Sequence, residues 1–308
     1  MMLESSADII KYLRFYYHSY FKLIYFLLIA IMLAAIIYVN YFYFRGFQTE
    51  SFTWAQKFGT KYLLYFLPFA AAFGLQYLFY KNTDYFSKKW FWILLLLAPA
   101  FFSFRVNFNF HQSFIIQFWQ GPELYYWFAL TNLFIRIIVL ILPVILLWWI
   151  KDSKHQPLYG FNKIAALQPY IIMIALMIPL LILASYNPGF LKKYPVVMHI
   201  KGVTTALQTS QVILYELCYA LDFFSIEFFF RGFLILAFAR IVGLQAIIPV
   251  ACFYCCIHFG KTMPEAISSF FGGILLGIIS YFTKSIWGGL FIHIGIAWLM
   301  ELLAFLQH

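Results

Sequence analysis

Long apolar runs separated by short charged clusters dominate this sequence. Residues 23–44, 62–80 and 164–191 contain no charged side chain. A helix that crosses a bilayer core needs about 20 mainly apolar residues. The other candidate spans are 90–104, 125–150, 211–230, 241–257, 266–283 and 285–306. The pattern therefore predicts an all-α, polytopic transmembrane helix bundle of eight or nine spans. It disfavours a barrel, because barrel strands alternate apolar and polar residues.

The composition narrows the class of protein further. Charged residues make up 10% of the 308 residues, against about a quarter in ordinary soluble domains. Hydrophobic types account for 64% and aromatic types for 23%. These values exclude a disordered chain, a coiled coil and a water-soluble domain. The first 20 residues lack the pattern of a cleaved signal peptide and indicate a charged tail or an amphipathic interfacial helix.

The net charge of +10 has an ordinary explanation in a membrane protein. Its basic residues lie mostly in the segments that connect the apolar runs. There they set topology and contact anionic lipid headgroups. We therefore expect the lipid bilayer, and not nucleic acid, as the partner of this charge.

The four cysteines are Cys218, Cys252, Cys255 and Cys256. Cys252 and Cys255 form a C-x-x-C spacing, which in other contexts indicates redox or metal chemistry. Here the surrounding run VACFYCCI is wholly apolar and lies inside a predicted span. We interpret these cysteines as small buried hydrophobic residues.

Acidic residues divide the chain into two parts. The six in the first 210 residues, Asp152 among them, lie in or beside connecting segments, where we expect water to solvate them. The other five, Glu216, Asp222, Glu227, Glu265 and Glu301, fall inside or at the ends of apolar runs, together with His258 and His293. Ionisable groups in such positions face a polar interior and usually mark a site. We therefore assign 1–210 to transmembrane helices of unassigned role and 211–308 to a core that carries the polar site.

Two local patterns place the carboxylates. Glu227 and Arg231 are four residues apart, so they share a helix face, which Glu216 also shares if the helix is unbroken. The pair could serve only to neutralise its own buried charges. Glu265 follows Pro264 in a position that suits the first turn of a helix, where a carboxylate complements the helix dipole. Glu265 could therefore be a cap or a site residue.

The chemistry that these residue types allow is hydrolysis. A desolvated glutamate can act as a base that activates water, and a histidine can orient water or donate to an oxyanion. Two histidines and one glutamate could instead bind zinc with an open position for water. The sequence contains no H-E-x-x-H, no G-x-S-x-G and no paired aspartates in the spans. The residues alone leave the choice open.

Three segments in order resemble a known family: IEFFFRGFL, FYCCIHFG and GGLFIHIGIAW. They are similar to the CPBP family, the CAAX proteases and bacteriocin-processing proteins also called Abi, which is related to the type II CAAX prenyl endopeptidase. The family pattern is E-E-x-x-x-R, then F-x-x-x-H, then H-x-x-x-N. The resemblance covers residues 211–305 and implies that Glu227, Arg231, His258 and His293 belong to the site.

The match departs from the family pattern at catalytic positions. Ile226 stands where the family has its first glutamate, the water-activating base. Ala297 stands where the family has an asparagine thought to help bind the oxyanion, and Tyr254 replaces the usual phenylalanine. Glu265 could supply the missing carboxylate from another helix, which is a hypothesis motivated by its position after His258.

The resemblance implies an intramembrane endopeptidase that cleaves a membrane-associated protein or peptide. His258 and His293 would orient water and bind the oxyanion, Glu227 or Glu265 would be the base, and Arg231 would fix the site through an ion pair. The family is often described as metalloproteases, and both zinc and metal-free glutamate chemistry fit these residues. The expected location is the inner membrane of a bacterial cell.

Two alternatives remain at this point. A catalytically inactive scaffold or a bacteriocin self-immunity protein of the same fold would explain Ile226 and Ala297. A transporter is disfavoured because the two halves of the chain lack paired interrupted helices.

Overall fold

The computed structural model describes residues 6–43, 51–162, 166–200, 203 and 207–307. In these residues the chain is helical, and its one β pairing is an isolated bridge between Phe161 and Ser285. The α-helices are α1 (Ser6–Ser19), α2 (Leu23–Tyr38), α3 (Trp54–Phe79), α4 (Lys89–Asn107), α5 (Gln112–Ile115), α6 (Pro122–Leu147), α7 (Gln168–Ser185), α8 (Pro188–Leu191), α9 (Thr209–Glu227), α10 (Phe238–Val242), α11 (Ile247–Ile257), α12 (Met263–Thr283) and α13 (Trp287–Phe305).

Eight helical segments in the described residues are long and apolar enough to cross a bilayer. One of them, Thr209–Ile257, spans 49 residues and contains the two runs predicted separately as 211–230 and 241–257. It is interrupted at Gly243, whose φ of +65° lies outside the helical region. The predicted all-α polytopic bundle of eight or nine spans is therefore confirmed.

The outer surface of the bundle is apolar. Large side chains such as Ile31, Leu67, Leu176 and Leu183 are more than half exposed. A water-soluble protein would cover such a surface with charge, whereas hydrocarbon solvates it without cost. The chain is accordingly an integral multi-pass membrane protein.

Helix α1 lies against the bundle beside these spans. The ring of Tyr12 stacks on that of Phe282 in α12, with centroids 4.6 Å apart. Ile10, Phe15 and Tyr17 remain exposed on α1. From Ser6 the described segment is therefore a helix that packs on α12.

The centre of the bundle is a π-helical segment, Phe228–Ala237, which continues α9 and is buried along its whole length. Aromatic rings from the first half of the chain surround it. The ring of Phe102 lies 5.5 Å from that of Phe229 and 5.6 Å from that of Phe230. A Cβ on Gly232 would lie 2.9 Å from the carbonyl oxygen of Tyr159, so this close approach requires glycine. Cys252, Cys255 and Cys256 are buried and free of disulfides, in agreement with the predicted packing role.

Polar contacts join the first 210 residues to the rest. Nη2 of Arg105 binds both carboxylate oxygens of Asp222, at 2.5 and 2.7 Å. Nε2 of Gln76 donates to the carbonyl oxygen of Gln245 at 2.7 Å. Buried pairing of this kind ties both parts into one bundle.

Asp152 is a further contact of the same kind. It is buried, pairs with Arg240, and accepts a 2.5 Å hydrogen bond from the Tyr159 hydroxyl. The expectation that water solvates Asp152 was wrong. A cation that lies 88 positions later in the chain compensates its charge inside the bundle.

Candidate active site

The polar centre of the site is the carboxylate of Glu227, the last residue of α9. The residue has no exposed surface. Its Oε1 accepts a hydrogen bond from Nδ1 of His293 at 3.0 Å, and its Oε2 lies 3.4 Å from Nε of Arg231. The i,i+4 spacing read from the sequence therefore places Glu227 beside Arg231, and α13 adds the imidazole of His293. Two cationic or donor groups compensate one fully desolvated carboxylate.

This contact determines which nitrogen of His293 is free. An ionised carboxylate can only accept hydrogen bonds, so Nδ1 of His293 carries the proton. In the neutral imidazole, Nε2 is then left with its lone pair. The ring of Phe223 packs on the imidazole with centroids 4.3 Å apart. The orientation of His293 is thus held from both sides.

Gly289 makes room for this carboxylate. A Cβ at this position would lie 2.4 Å from Oε2 of Glu227 and 3.3 Å from its Cδ. Any side chain at position 289 would therefore displace the acid from His293. Gly289 belongs to the segment GGLFIHIGIAW, which carries part of the family resemblance. The sequence alone does not show that this glycine makes room for Glu227.

His258 lies directly after the last residue of α11 and is tied to the same site through Tyr254. Nδ1 of His258 donates to the carbonyl oxygen of Tyr254 at 2.8 Å, which again leaves Nε2 with the lone pair. The Tyr254 ring lies 4.7 Å from the His258 ring and 6.4 Å from the His293 ring. Cζ of Arg231 lies 4.1 Å from the centroid of the Tyr254 ring, in a cation–π contact. Tyr254 is therefore a common neighbour of the two imidazoles and the arginine.

The environment of His258 keeps it uncharged. Burial lowers the pKa of its imidazole to about 3, and the positive charges of Lys261 and Arg231 act in the same direction. The hydrogen bond to the Tyr254 carbonyl opposes this change only in part. At neutral pH His258 is consequently an acceptor at Nε2.

Glu265 has different partners. Its two oxygens accept hydrogen bonds from the Tyr194 hydroxyl at 3.0 and 3.1 Å, and Oε1 lies 4.0 Å from Nζ of Lys261. Glu265 stands in the first turn of α12, after Pro264, as its sequence context indicates for a helix start. Its hydrogen bonds therefore lead to Tyr194, outside the contact between Glu227 and His293.

The two departures from the family pattern are buried apolar positions. Ile226 is 7% exposed and Ala297 is 5% exposed. Neither side chain can accept a proton or donate a hydrogen bond. A hydrolytic reaction at this site must therefore use a base other than residue 226.

The residues present do not fit a zinc centre. Among the described residues, no three histidine, cysteine, aspartate or glutamate side chains are grouped as metal ligands. Catalytic zinc takes three protein ligands. The oxygens of Glu227 already face His293 and Arg231, and Nδ1 of His258 is occupied by a carbonyl.

Comparison with known proteins identifies this part of the chain. Residues 208–299 match the family described as type II CAAX prenyl endopeptidase Rce1-like. No curated protein and no solved structure gives a significant match to the chain. The matched segment contains α9, the π-helical segment, α11, α12 and most of α13, and with them every residue of the site described above. Residues 208–299 are therefore similar to the CAAX protease type, which confirms the resemblance to the CPBP family.

Proposed function

We propose that the protein is an intramembrane endopeptidase that hydrolyses a peptide bond in a membrane-associated protein or peptide. The observation that supports this most directly is the hydrogen bond from Nδ1 of His293 to the buried carboxylate of Glu227. A carboxylate that holds an imidazole in one tautomer is the arrangement of a general base.

In this proposal His293 is the general base, because Ile226 stands where the family has its water-activating glutamate. Its free Nε2 accepts a proton from water, and the water oxygen attacks the carbonyl carbon of the substrate. Glu227 stabilises the imidazolium that forms, because the two groups are already in contact. The imidazolium then returns the proton to the departing amine nitrogen as the C–N bond breaks. Arg231 holds Glu227 in place from the other side.

His258 has a separate role as an orienting group. Its neutral Nε2 accepts the second hydrogen of the same water, so the lone pair of the water points to the substrate. Ala297 cannot donate to the oxyanion. Loss of one such donor costs about 10²–10³ in kcat, so we expect slow turnover.

The substrate follows from the location of the site. Glu227 and His293 lie inside membrane-spanning segments, so the scissile bond has to reach them from within the bilayer. The matched family takes its description from the cleavage of prenylated CAAX proteins. A prenylated peptide that ends in a CAAX sequence is therefore the first probe. We also propose that the protein lies in the inner membrane of a bacterial cell.

The test is peptide cleavage by the full chain in lipid vesicles. We expect His293→Ala to lower the rate by about 10²–10⁴, the range for loss of a general base, and His258→Ala to lower it at least tenfold. His155→Ala is the matched control, because His155 is exposed in a connecting segment. It should cleave as fast as wild type, and a chelator should change none of these rates.

A second function is favoured by one specific observation. Both Ile226 and Ala297 are apolar and buried, which suits a relative that retains the fold and binds a membrane peptide without cleaving it. Equal product from wild type and from the His258→Ala, His293→Ala double variant would end the endopeptidase proposal. Retained binding of the peptide in that experiment would establish the non-hydrolytic scaffold.

A further inference from the structure

The groups assigned so far leave the proposed reaction without a donor for the substrate oxygen. Nδ1 of His293 already donates to Glu227, and Nδ1 of His258 donates to a backbone carbonyl. Both Nε2 atoms are acceptors in the proposed reaction, and Ala297 carries no polar group. The oxyanion that forms on the substrate carbonyl therefore needs a donor from another residue.

Tyr254 on α11 brings a hydroxyl to the same place. It precedes His258 by four residues, so the two side chains share one face of the helix end. Its ring centroid lies 4.7 Å from that of His258 and 6.4 Å from that of His293. The family pattern has phenylalanine at this position, so this chain gains a hydroxyl in the same site in which Ala297 lacks a donor.

The hydrogen of the Tyr254 hydroxyl is available for a substrate. The hydroxyl interacts with the guanidinium of Arg231, which has hydrogens to donate and no acceptor. The phenolic oxygen is therefore the acceptor in that contact. In the part of the chain that the structure describes, no hydrogen bond leads from this hydroxyl to an acceptor, and the hydroxyl is not among the polar atoms buried without a partner. Its O–H can therefore donate to an oxygen that enters the site.

The neighbours of Tyr254 hold its ring in one orientation. The Phe230 ring packs on it with centroids 4.9 Å apart, and Cζ of Arg231 lies 4.1 Å from its centroid. A Cβ on Gly273 would lie 3.3 Å from Cδ1 of Tyr254, so the glycine leaves room for the ring. Tyr254 is 5% exposed, and a hydrogen bond is stronger in such a water-poor setting than in bulk water. A fixed donor in a water-poor site is what stabilisation of an oxyanion requires.

We propose that Tyr254 is a catalytic residue that stabilises the oxyanion, an inference that rests on the hydrolysis proposed above. When the water oxygen attacks the carbonyl carbon, the π electron pair of the carbonyl moves to its oxygen. The Tyr254 O–H donates a hydrogen bond to that oxygen and keeps its proton. The pair then re-forms the carbonyl as the C–N bond breaks, and the amine nitrogen takes the proton of the His293 imidazolium. Tyr254 thus replaces in part the donor that Ala297 lacks.

The test compares wild type with Tyr254→Phe, using the full chain in lipid vesicles and the prenylated CAAX peptide. The substitution removes the hydroxyl and keeps the ring, with its packing on Phe230 and its contact with Arg231. We expect kcat to fall about 10²–10³-fold, as for the loss of other oxyanion donors, while KM changes by less than about threefold. The thermal midpoint of the variant should equal that of wild type.

Two further measurements separate a donor from a structural hydroxyl. A peptide whose scissile amide is replaced by a phosphinate carries a tetrahedral anion, so Tyr254→Phe should weaken its binding by about the factor lost in kcat. 4-Aminophenylalanine in place of Tyr254 restores an N–H donor at the same position. It should recover at least about a tenth of the wild-type kcat. A folded 4-aminophenylalanine variant that is as slow as Tyr254→Phe, or slower than this limit where Tyr254→Phe does not fold, would overturn the proposal.

Tyr281→Phe is the matched control. The Tyr281 ring also carries a cation, Nζ of Lys284 at 4.1 Å, but the residue lies near the end of α12 and its electrostatic neighbour is Tyr20. This variant should cleave as fast as wild type. An unchanged kcat in Tyr254→Phe, or a loss confined to KM, would remove Tyr254 from the reaction and leave the endopeptidase proposal intact. A wild type that does not cleave would instead end the endopeptidase proposal, and the role of Tyr254 with it.

Discussion

Two glutamates of the segment that matches the Rce1-like family, Glu227 and Glu265, lie in very different surroundings. Glu227 is sealed in the bundle, and its partners are Arg231 and His293. Glu265 begins α12, keeps about a fifth of its side chain exposed, and accepts from Tyr194 of the N-terminal part. The first carboxylate is held by other residues of the site, whereas the second links the domain to the rest of the bundle. The partners of a carboxylate, and not its presence in an apolar run, indicate its role.

The largest expected difference is in stability. Glu227→Gln leaves the charge of Arg231 buried and uncompensated, which should lower the free energy of unfolding by about 3–5 kcal/mol. Glu265→Gln removes a partly exposed carboxylate and should cost less than about 1 kcal/mol. Reversible unfolding in mixed detergent measures both values. Adding Arg231→Met to Glu227→Gln should recover most of the lost stability. Similar losses for Glu227→Gln and Glu265→Gln would contradict the expected difference between the two carboxylates.

A smaller effect is expected from the glycine that faces Glu227. Gly289→Ala places a Cβ 2.4 Å from Oε2, so the carboxylate must move away from His293. We expect a loss of about 1–3 kcal/mol, as for other overpacked sites, together with slower cleavage. Gly272→Ala on α12 is the matched control, since nothing lies within 4 Å of its Cβ. That change should stabilise the helix by about 0.5–1 kcal/mol, and equal behaviour of the two variants would show that Glu227 is not confined.

The smallest expected effect is the pH dependence that His258 gives to the free energy of unfolding. His258 has a pKa of about 3 in the folded protein because of burial, against about 6.5 when unfolded. Above pH 6.5 both states are neutral, so His258 contributes no pH dependence. Below it only the unfolded state binds the proton, so stability should fall by about 1.4 kcal/mol between pH 7.5 and pH 5.5.

The check is the unfolding free energy at both pH values in wild type and in His258→Asn. The carboxylates titrate equally in the two proteins, so the difference between them reports His258 alone. An identical pH response in the variant would mean that the imidazole is protonated in the folded bundle.

The spans and the pairing of Glu227 with Arg231 were predictable because both depend on local periodicity. Apolar runs of about 20 residues predict helices whatever they pack against. The i,i+4 spacing likewise predicts a shared face before any tertiary contact is known.

The remaining contacts depend on residues far apart in the chain. Tyr194 and Glu265 are separated by 71 positions, and no sequence pattern links them. The burial of Asp152 requires Arg240, 88 positions later. The hydrogen bond between Glu227 and His293 joins residues 66 positions apart and needs the space left by the missing Cβ of Gly289. The sequence shows only that residue 289 is small.

The ion pair between Arg105 and Asp222 has a consequence for synthesis. Its two members are 117 positions apart, so Arg105 enters the membrane before its partner exists. At about 5–20 residues per second, the ribosome needs about 6–23 s to reach Asp222. During this interval a guanidinium in the nascent bundle faces lipid or the insertion machinery. An unpaired guanidinium in hydrocarbon is costly, so Arg105 needs a hydrated environment until Asp222 has been made.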